Sequence, residues 1–175
     1  MARKRRLKVQ VRTVTTVCFF LGNEECAIPI TDVHQIIRDV PITKVPNVNA
    51  HVEGVINLRG VVVPILDMKH RLGLGVRTLG SKHRLLIVEV GGRMVGFSVD
   101  SVAGVFDFEE SAVQPPPDVV LAKVQAGFVK GVVQKGDSIV VLLETSEVLN
   151  LRGGAEAAES RSAVPGSSAA RARPL

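Results

Sequence analysis

The chain has 175 residues and a formal charge of +5, and 46% of it is hydrophobic, with six Phe but no Trp or Tyr. That composition excludes disorder throughout, and no run of about 18 apolar residues offers a membrane-spanning helix. Residues 1–12 carry six Lys or Arg and no acid, and 152–175 carry four Arg against Glu156 and Glu159; subtracting both from totals of 22 and 17 leaves 12 basic and 15 acidic residues between them, an acidic, aromatic-poor middle without a nucleic-acid motif.

The first twelve residues read as a basic, disordered tail. Its Arg3-Lys4-Arg5-Arg6-Leu7-Lys8 run has the charge to touch phosphates or an anionic membrane surface, but a solvated terminus is the simpler reading. The apolar Val14–Leu21 that follows is short, holds Thr15 and Thr16 and lacks a small-residue cleavage site. It is therefore not read as a signal peptide, and a cytoplasmic chain without membrane insertion is expected. The sequence contains 31 Val, whose branched Cβ suits a pleated surface, so the expected class is all-β.

Strands are expected at Val14–Leu21, Glu25–Ile30, His34–Asp39, Gly54–Leu58, Val61–Asp67, His83–Val90, Arg93–Asp100, Ala103–Phe108, Gly127–Val133 and Ser138–Glu144. Gly91-Gly92 and Gly136-Asp137 mark tight hairpins. The run Val61–Leu66 is apolar without alternation and should be covered on both faces, with Pro64, like Pro29, placed where its missing N–H faces no neighbour. Met68–Leu72 can form a short helix ended by Gly73. Thr145 can cap a last helix over Glu147–Leu151, stopped by Gly153. Pro115-Pro116-Pro117 predicts that Glu109–Lys123 crosses the rim in extended form rather than entering the core. The folded domain is expected at 13–151, and the Ala, Gly, Ser and Arg of 152–175 form a disordered tail.

Little in the chain supports catalysis. His34, His51, His70 and His83 stand at no metal-ligand spacing, and Gly73-Leu74-Gly75 lacks the strand-to-helix setting of a dinucleotide loop. Glu24-Glu25 and Glu109-Glu110 fall at turns. No catalytic residue, metal or cofactor is expected. Cys18 and Cys26 flank the Gly22-Asn23 turn, and a disulfide would require a three-residue loop to put both on one face, so free buried thiols are the better expectation. One feature asks for a function. Asn57-Leu58-Arg59-Gly60 puts an Arg at a tight turn beside apolar strands, where it is either a solvated turn residue or an interface anchor.

The run Gly54-Val55-Ile56-Asn57-Leu58-Arg59-Gly60-Val61-Val62-Val63-Pro64-Ile65-Leu66-Asp67 resembles the signature segment of the CheW family, the coupling proteins of bacterial chemosensory arrays. Phe19–Glu25, Val99–Val102, Gly127–Gly131 and Gly136-Asp137 extend the similarity over about 14–151. The resemblance implies two five-stranded SH3-like β-barrels packed around a shared hydrophobic core. It also implies a non-enzymatic scaffold, recruited to membrane-associated arrays, that binds the cytoplasmic tip of a methyl-accepting chemoreceptor and the regulatory domain of a CheA-type histidine kinase. By the same resemblance the receptor would meet Val33, Gln35, Ile36, Asn57, Leu58, Arg59, Gly60 and Val105, and the kinase Pro46, Val48 and Gly54. Gly54 also reads as a backbone position with no room for Cβ. Two departures stand out: Gln35, where the family often has a Glu able to pair with the turn Arg, and the ending Leu142-Leu143-Glu144. The alternatives are an adaptor of a pilus or developmental pathway, or a small β-barrel nucleic-acid binder using its tails.

Overall fold

The structure, a computed structural model, describes residues 10–78 and 80–151. In chain order it contains β1 (Thr13–Leu21), β2 (Glu24–Pro29), β3 (Val33–Arg38), β4 (Val52–Leu58), β5 (Val61–Asp67), α1 (Met68–Leu72), β6 (Arg84–Val90), β7 (Arg93–Val99), β8 (Ser101–Glu109), α2 (Asp118–Leu121), β9 (Val129–Lys135), β10 (Ser138–Leu143) and α3 (Thr145–Leu149). Four two-residue turns fix the register of the hairpins: Gly22-Asn23, Arg59-Gly60, Gly91-Gly92 and Gly136-Asp137. Both residues of Gly91-Gly92 have positive φ, 60° and 75°, the geometry whose twist matches that of the flanking strands.

The strands form two five-stranded sheets, ordered β8-β1-β2-β10-β9 and β3-β6-β7-β5-β4. Each holds one parallel pair, β10 with β2 and β5 with β7. Each wraps a small core of its own: Cys18, Ala27, Phe108, Val133, Val140 and Leu142 in the first barrel, and Ile56, Val63, Ile65, Leu85 and Ile87 in the second. A larger cluster joins them. Phe19, Leu21, Cys26 and Ile28 of the first sheet pack with Leu66, Leu86, Val88 and Phe97 of the second, and with Met68, Leu72 and Val148 of the helices. The two SH3-like barrels therefore share one apolar core.

Strand alternation produces this division. On β5, Val63 and Ile65 point into the second barrel while Leu66 points into the shared core, so the strand is doubly covered at its C-terminal half. The expectation that all of Val61–Leu66 is covered is corrected at its start: Val61 and Val62 are exposed, because the hairpin projects past both cores. Pro64 pairs with Val55, whose N–H and C=O are turned away to Thr43, and its own strand meets β7 only from Ile65 onward. Its missing N–H thus faces no neighbour. Cys18 and Cys26 are free and buried on opposite faces of the β1–β2 hairpin, because a two-residue turn pairs Phe19, not Cys18, with Cys26.

Three further expectations need correction. The stretch Glu109–Lys123 does not stay on the rim, for α2 follows the prolines and delivers Val120, with Val124 beyond it, to the shared core. Thr145 does not cap α3: Glu144 occupies the cap position without a side-chain bond, and the buried Thr145 hydroxyl has no partner among the described residues. Its Val148 anchors the helix in the core instead. The strand expected from Gly127 begins at Val129, since Ala126–Phe128 form a 3-10 turn. By contrast, α1 spans the expected residues, with the Asp67 carboxylate accepting the His70 N–H and Gly73 ending it at φ 77°. The proposed stop at Gly153 and most of both expected tails lie outside the described residues.

Polar ties cross the barrel junction. The buried Arg71 of α1 donates to the carbonyl oxygens of Val148 at 3.0 Å, Glu147 at 3.3 Å and Asn150 at 2.8 Å at the end of α3, and its guanidinium lies 4.6 Å from the Phe128 ring centroid. Asp100, between β7 and β8, accepts from the Gly22 N–H at 2.6 Å, from Lys69 at 2.9 Å and from His83 Nε2 at 3.1 Å. Burial opposes its charge, yet these three donors hold its carboxyl below the usual carboxylate range.

Phe97→Ala leaves a void in the shared core and should cost about 3–5 kcal/mol; in urea, probes in either barrel should report a single coincident transition rather than two. Gly54 is buried beneath the backbone of Thr43, where an added Cβ would overlap the Thr43 carbonyl oxygen. Gly54→Ala should accordingly lower unfolding free energy by about 1–3 kcal/mol, read from the denaturation midpoint.

Candidate protein-binding site

A sheet edge left open invites unwanted pairing, and a bulge both prevents it and re-aims the neighbouring side chains. Each edge strand here carries one. The extra residue is His34 in β3, Glu53 in β4, Ala103 in β8 and Lys130 in β9. Most of the expected contact residues lie on these strands or in the turns and loops that adjoin them. Val33, Gln35 and Ile36 surround the β3 bulge: Val33 packs partly into the shared core, Gln35 is half-buried, and Ile36 is 41% exposed. Val105, 54% exposed, stands two residues past the β8 bulge.

Asn57, Leu58, Arg59 and Gly60 come together at the β4–β5 turn. The Asn57 side-chain oxygen accepts the Gly60 N–H at 2.8 Å, and Arg59 and Gly60 both have positive φ, 51° and 86°. This is again the hairpin geometry suited to strand twist, but an Arg at its first central position is uncommon and costs on the order of 1 kcal/mol. The Arg59 side chain is exposed and forms no hydrogen bond or ion pair with any described residue, Gln35 included. Immediately after it stand Val61 and Val62, 51% and 64% exposed, which sequence reading had placed in the interior. The tip is thus a cation flanked by apolar surface, the composition of interface anchors.

Pro46 and Val48 are exposed on the long connection from β3 to β4, with Asn47 between them at φ 58°. Three ties hold this connection. Thr43 and Val55 exchange backbone hydrogen bonds of 2.9 and 2.8 Å over Gly54. Arg77 bonds Glu53 at 3.1 and 3.2 Å and also reaches Asp39. At the C-terminal root, the Asp67 N–H donates to the His51 carbonyl at 2.9 Å. Gly54 itself is buried, so its part is to let Thr43 pass close by, the steric role that a missing Cβ allows. Sequence reading missed the Arg77 tie because its partners lie 24 and 38 residues away, with no local signal.

The same geometry offers little for chemistry. Among the described residues no group of three or more His, Cys, Asp or Glu is arranged to hold a metal ion, and no helix is long and apolar enough to cross a membrane. Cys26 is buried and its thiol pushed up to about 12, chiefly by that burial, which keeps it protonated and unreactive. His83, the most buried histidine, is spent on Asp100.

Comparison with known proteins agrees with this arrangement. A CheW-like domain is matched over residues 15–153. The chain is 33% identical over 132 residues to the chemotaxis protein CheW of Rhizobium meliloti, covering 75% of this chain and 84% of that one. It is 30% identical over 149 residues to the chemotaxis protein CheW of Bacillus subtilis, covering 85% and 91%. The crystal structure of the scaffolding protein TtCheW from Thermoanaerobacter tengcongensis superposes with a TM-score of 0.70 at 34% identity, covering 81% of this chain and 90% of that one. The domain match over most of the chain and the relatives at 30% and 33% identity show that the chain belongs to the CheW-like family, as a non-enzymatic coupling scaffold of chemosensory signalling.

Proposed function

We propose that the chain bridges two partners: the cytoplasmic tip of a methyl-accepting chemoreceptor and the regulatory domain of a CheA-type histidine kinase, within membrane-associated receptor arrays. The receptor meets the β4–β5 tip with Asn57, Leu58, Arg59 and Gly60, together with Val33, Gln35 and Ile36 of β3 and Val105 of β8. The kinase meets the loop that carries Pro46 and Val48, which Gly54 holds in place from below.

One observation carries this reading: Arg59 keeps a backbone conformation that Gly would adopt without strain, and its guanidinium has no partner among the described residues. A backbone outlier of this kind is retained where the side chain has work outside the fold. Gln35 supplies no charge to the Arg, so an acidic group on the receptor is the expected counterpart, and a bidentate pair there gives direction as well as affinity. The kinase contact rests on exposed apolar side chains on a loop tied at three points, which limits the ordering cost of binding.

The bridge is tested by size exclusion with the purified chain, a receptor signalling-tip fragment and a kinase regulatory domain; a ternary complex is the expected outcome. Running the receptors and kinases of each chemosensory system in the same cell identifies which pair belongs to the chain. Arg59→Glu should weaken receptor binding at least about tenfold while leaving kinase binding and the fold intact. Arg59→Gly should weaken receptor binding similarly and raise the melting temperature, since Gly relieves the positive φ. Receptor affinity unchanged in both variants would refute the assignment. Val48→Asp should lower kinase affinity about tenfold with receptor affinity unchanged, measured by calorimetry on each pair separately.

A further inference from the structure

The Nδ1 atoms of His51 and His70 lie 2.8 Å apart, with ring centroids 4.7 Å apart and planes inclined by 50°. At that separation there is room for one proton: one ring donates and the other accepts. His51 is the last residue before β4, and its backbone anchors the root of the 39–51 loop, with its carbonyl taking the Asp67 N–H and its N–H bonded to Asn49 Oδ1 at 3.0 Å. His70 belongs to α1, one residue before the Arg71 that clasps α3. The pair thus ties the loop to α1, the helix whose Arg71 reaches across to α3.

The surrounding charges decide what a second proton does. From α1, Arg71 adds positive charge. From the end of β5, Asp67 is the opposing carboxylate, and its two oxygens already accept the N–H groups of His70 at 3.1 Å and Arg77 at 3.0 Å. Beyond it, the Arg77 guanidinium occupies Glu53 and Asp39, and from α3 Glu147 contributes its carbonyl to Arg71 while its side chain is exposed. Burial, then Arg71 and His70, hold His51 below the ordinary histidine range against the pull of Asp67. Two imidazolium rings face to face beside Arg71 would therefore separate.

We propose that the His51–His70 pair is a proton-gated clasp, closed on one shared proton and opened when both rings are protonated, and that its opening loosens the C-terminal root of the 39–51 loop. The sign follows from the lowered position of His51. The open form binds protons more readily than the closed one, so the clasp holds above about pH 6.5 and yields as pH falls below it. Because the Thr43–Val55 bonds and the Arg77 tie are separate, loosening is limited to the stretch between Thr43 and Val52, which carries Pro46 and Val48. Resting on the reading that Pro46 and Val48 contact the kinase, acid weakens that contact.

The test uses the intact chain and a His70→Asn variant, whose amide can replace the Nδ1 hydrogen bond without titrating. Imidazole NMR should show the His51 ring of the wild-type chain titrating below the ordinary histidine range. Between about pH 7.5 and about pH 5.5 the amide protection factors of Val52 and Asp67 should fall severalfold in the wild type and stay level in the variant. Kinase affinity should fall in parallel, in the wild type alone. A His51 ring titrating at the ordinary value in the wild-type chain, or identical protection profiles in both proteins, would overturn the clasp. Protection that responds as expected while kinase affinity does not move upholds the clasp and rejects Pro46 and Val48 as kinase contacts.

Discussion

The shared core is the constraint on which the rest of the molecule depends. A five-stranded barrel of this size buries few side chains within itself, and each of the two has only five or six fully buried apolar residues of its own. Neither interior is large enough to offset the entropy of ordering so many residues. The larger apolar cluster lies between them, with Phe19, Ile28 and Leu143 on one side and Leu66, Leu86 and Phe97 on the other, all essentially without solvent exposure. The barrels therefore fold as one body, and any surface on one keeps a fixed orientation relative to any surface on the other. For a coupling scaffold that fixed orientation is the functional property. Two modest contacts on one rigid body reinforce each other through effective concentration, whereas a flexible linkage would dissipate the gain.

Rigidity at the centre leaves the edges free to specialise. Every edge strand carries a bulge, so none offers a flat ladder to a neighbouring chain, and each bulge shifts which face the residues after it present. Val105 and Ile36 are exposed for this reason, and the β4–β5 tip extends the same logic by projecting beyond both cores. Arg59 adds a strained backbone to that projection. A fold that tolerates a cost of about 1 kcal/mol at an exposed turn, where Gly would remove it, sets presentation of a guanidinium above local stability.

Much of this was legible in the sequence, for identifiable reasons. Hairpins announced themselves through Gly91-Gly92 and Gly136-Asp137, and α1 through the Asp67 cap and the Gly73 stop, because each signal is local and the chemistry that forms the turn is in the residues themselves. The signature turn was legible as a motif, and Gly54 as a position where Cβ cannot fit. What escaped was non-local. The Val61-Val62 pair reads as interior because apolar runs usually are, and only the projection of the hairpin past both cores exposes it. Val120 and Val124 follow a proline triplet that suggests rim, yet α2 turns them inward. The Arg77 tie and the His51–His70 pair join residues 19 to 38 positions apart, which no periodicity can reveal.

The polar ties across the junction show a division of labour with the core. Arg71 is buried without a carboxylate partner among the described residues; its charge is met by three carbonyl oxygens at the end of α3 and by the Phe128 face, and burial lowers its pKa. Such a group adds little net stability, since its desolvation offsets most of what its hydrogen bonds return. Its geometry is demanding, however: a planar fork satisfied by carbonyls of residues 147, 148 and 150 fits one placement of α3 against α1. Asp100 does the same on the other side, accepting at once from the β1–β2 turn, from α1 and from His83. Apolar packing is non-directional, and a small rotation between the barrels costs it less than it costs a bond with a required angle. The directional bonds remove that freedom, so the core supplies the stability of the two-barrel body and the ties supply its angle, which is the quantity a bridge between two partners must hold constant.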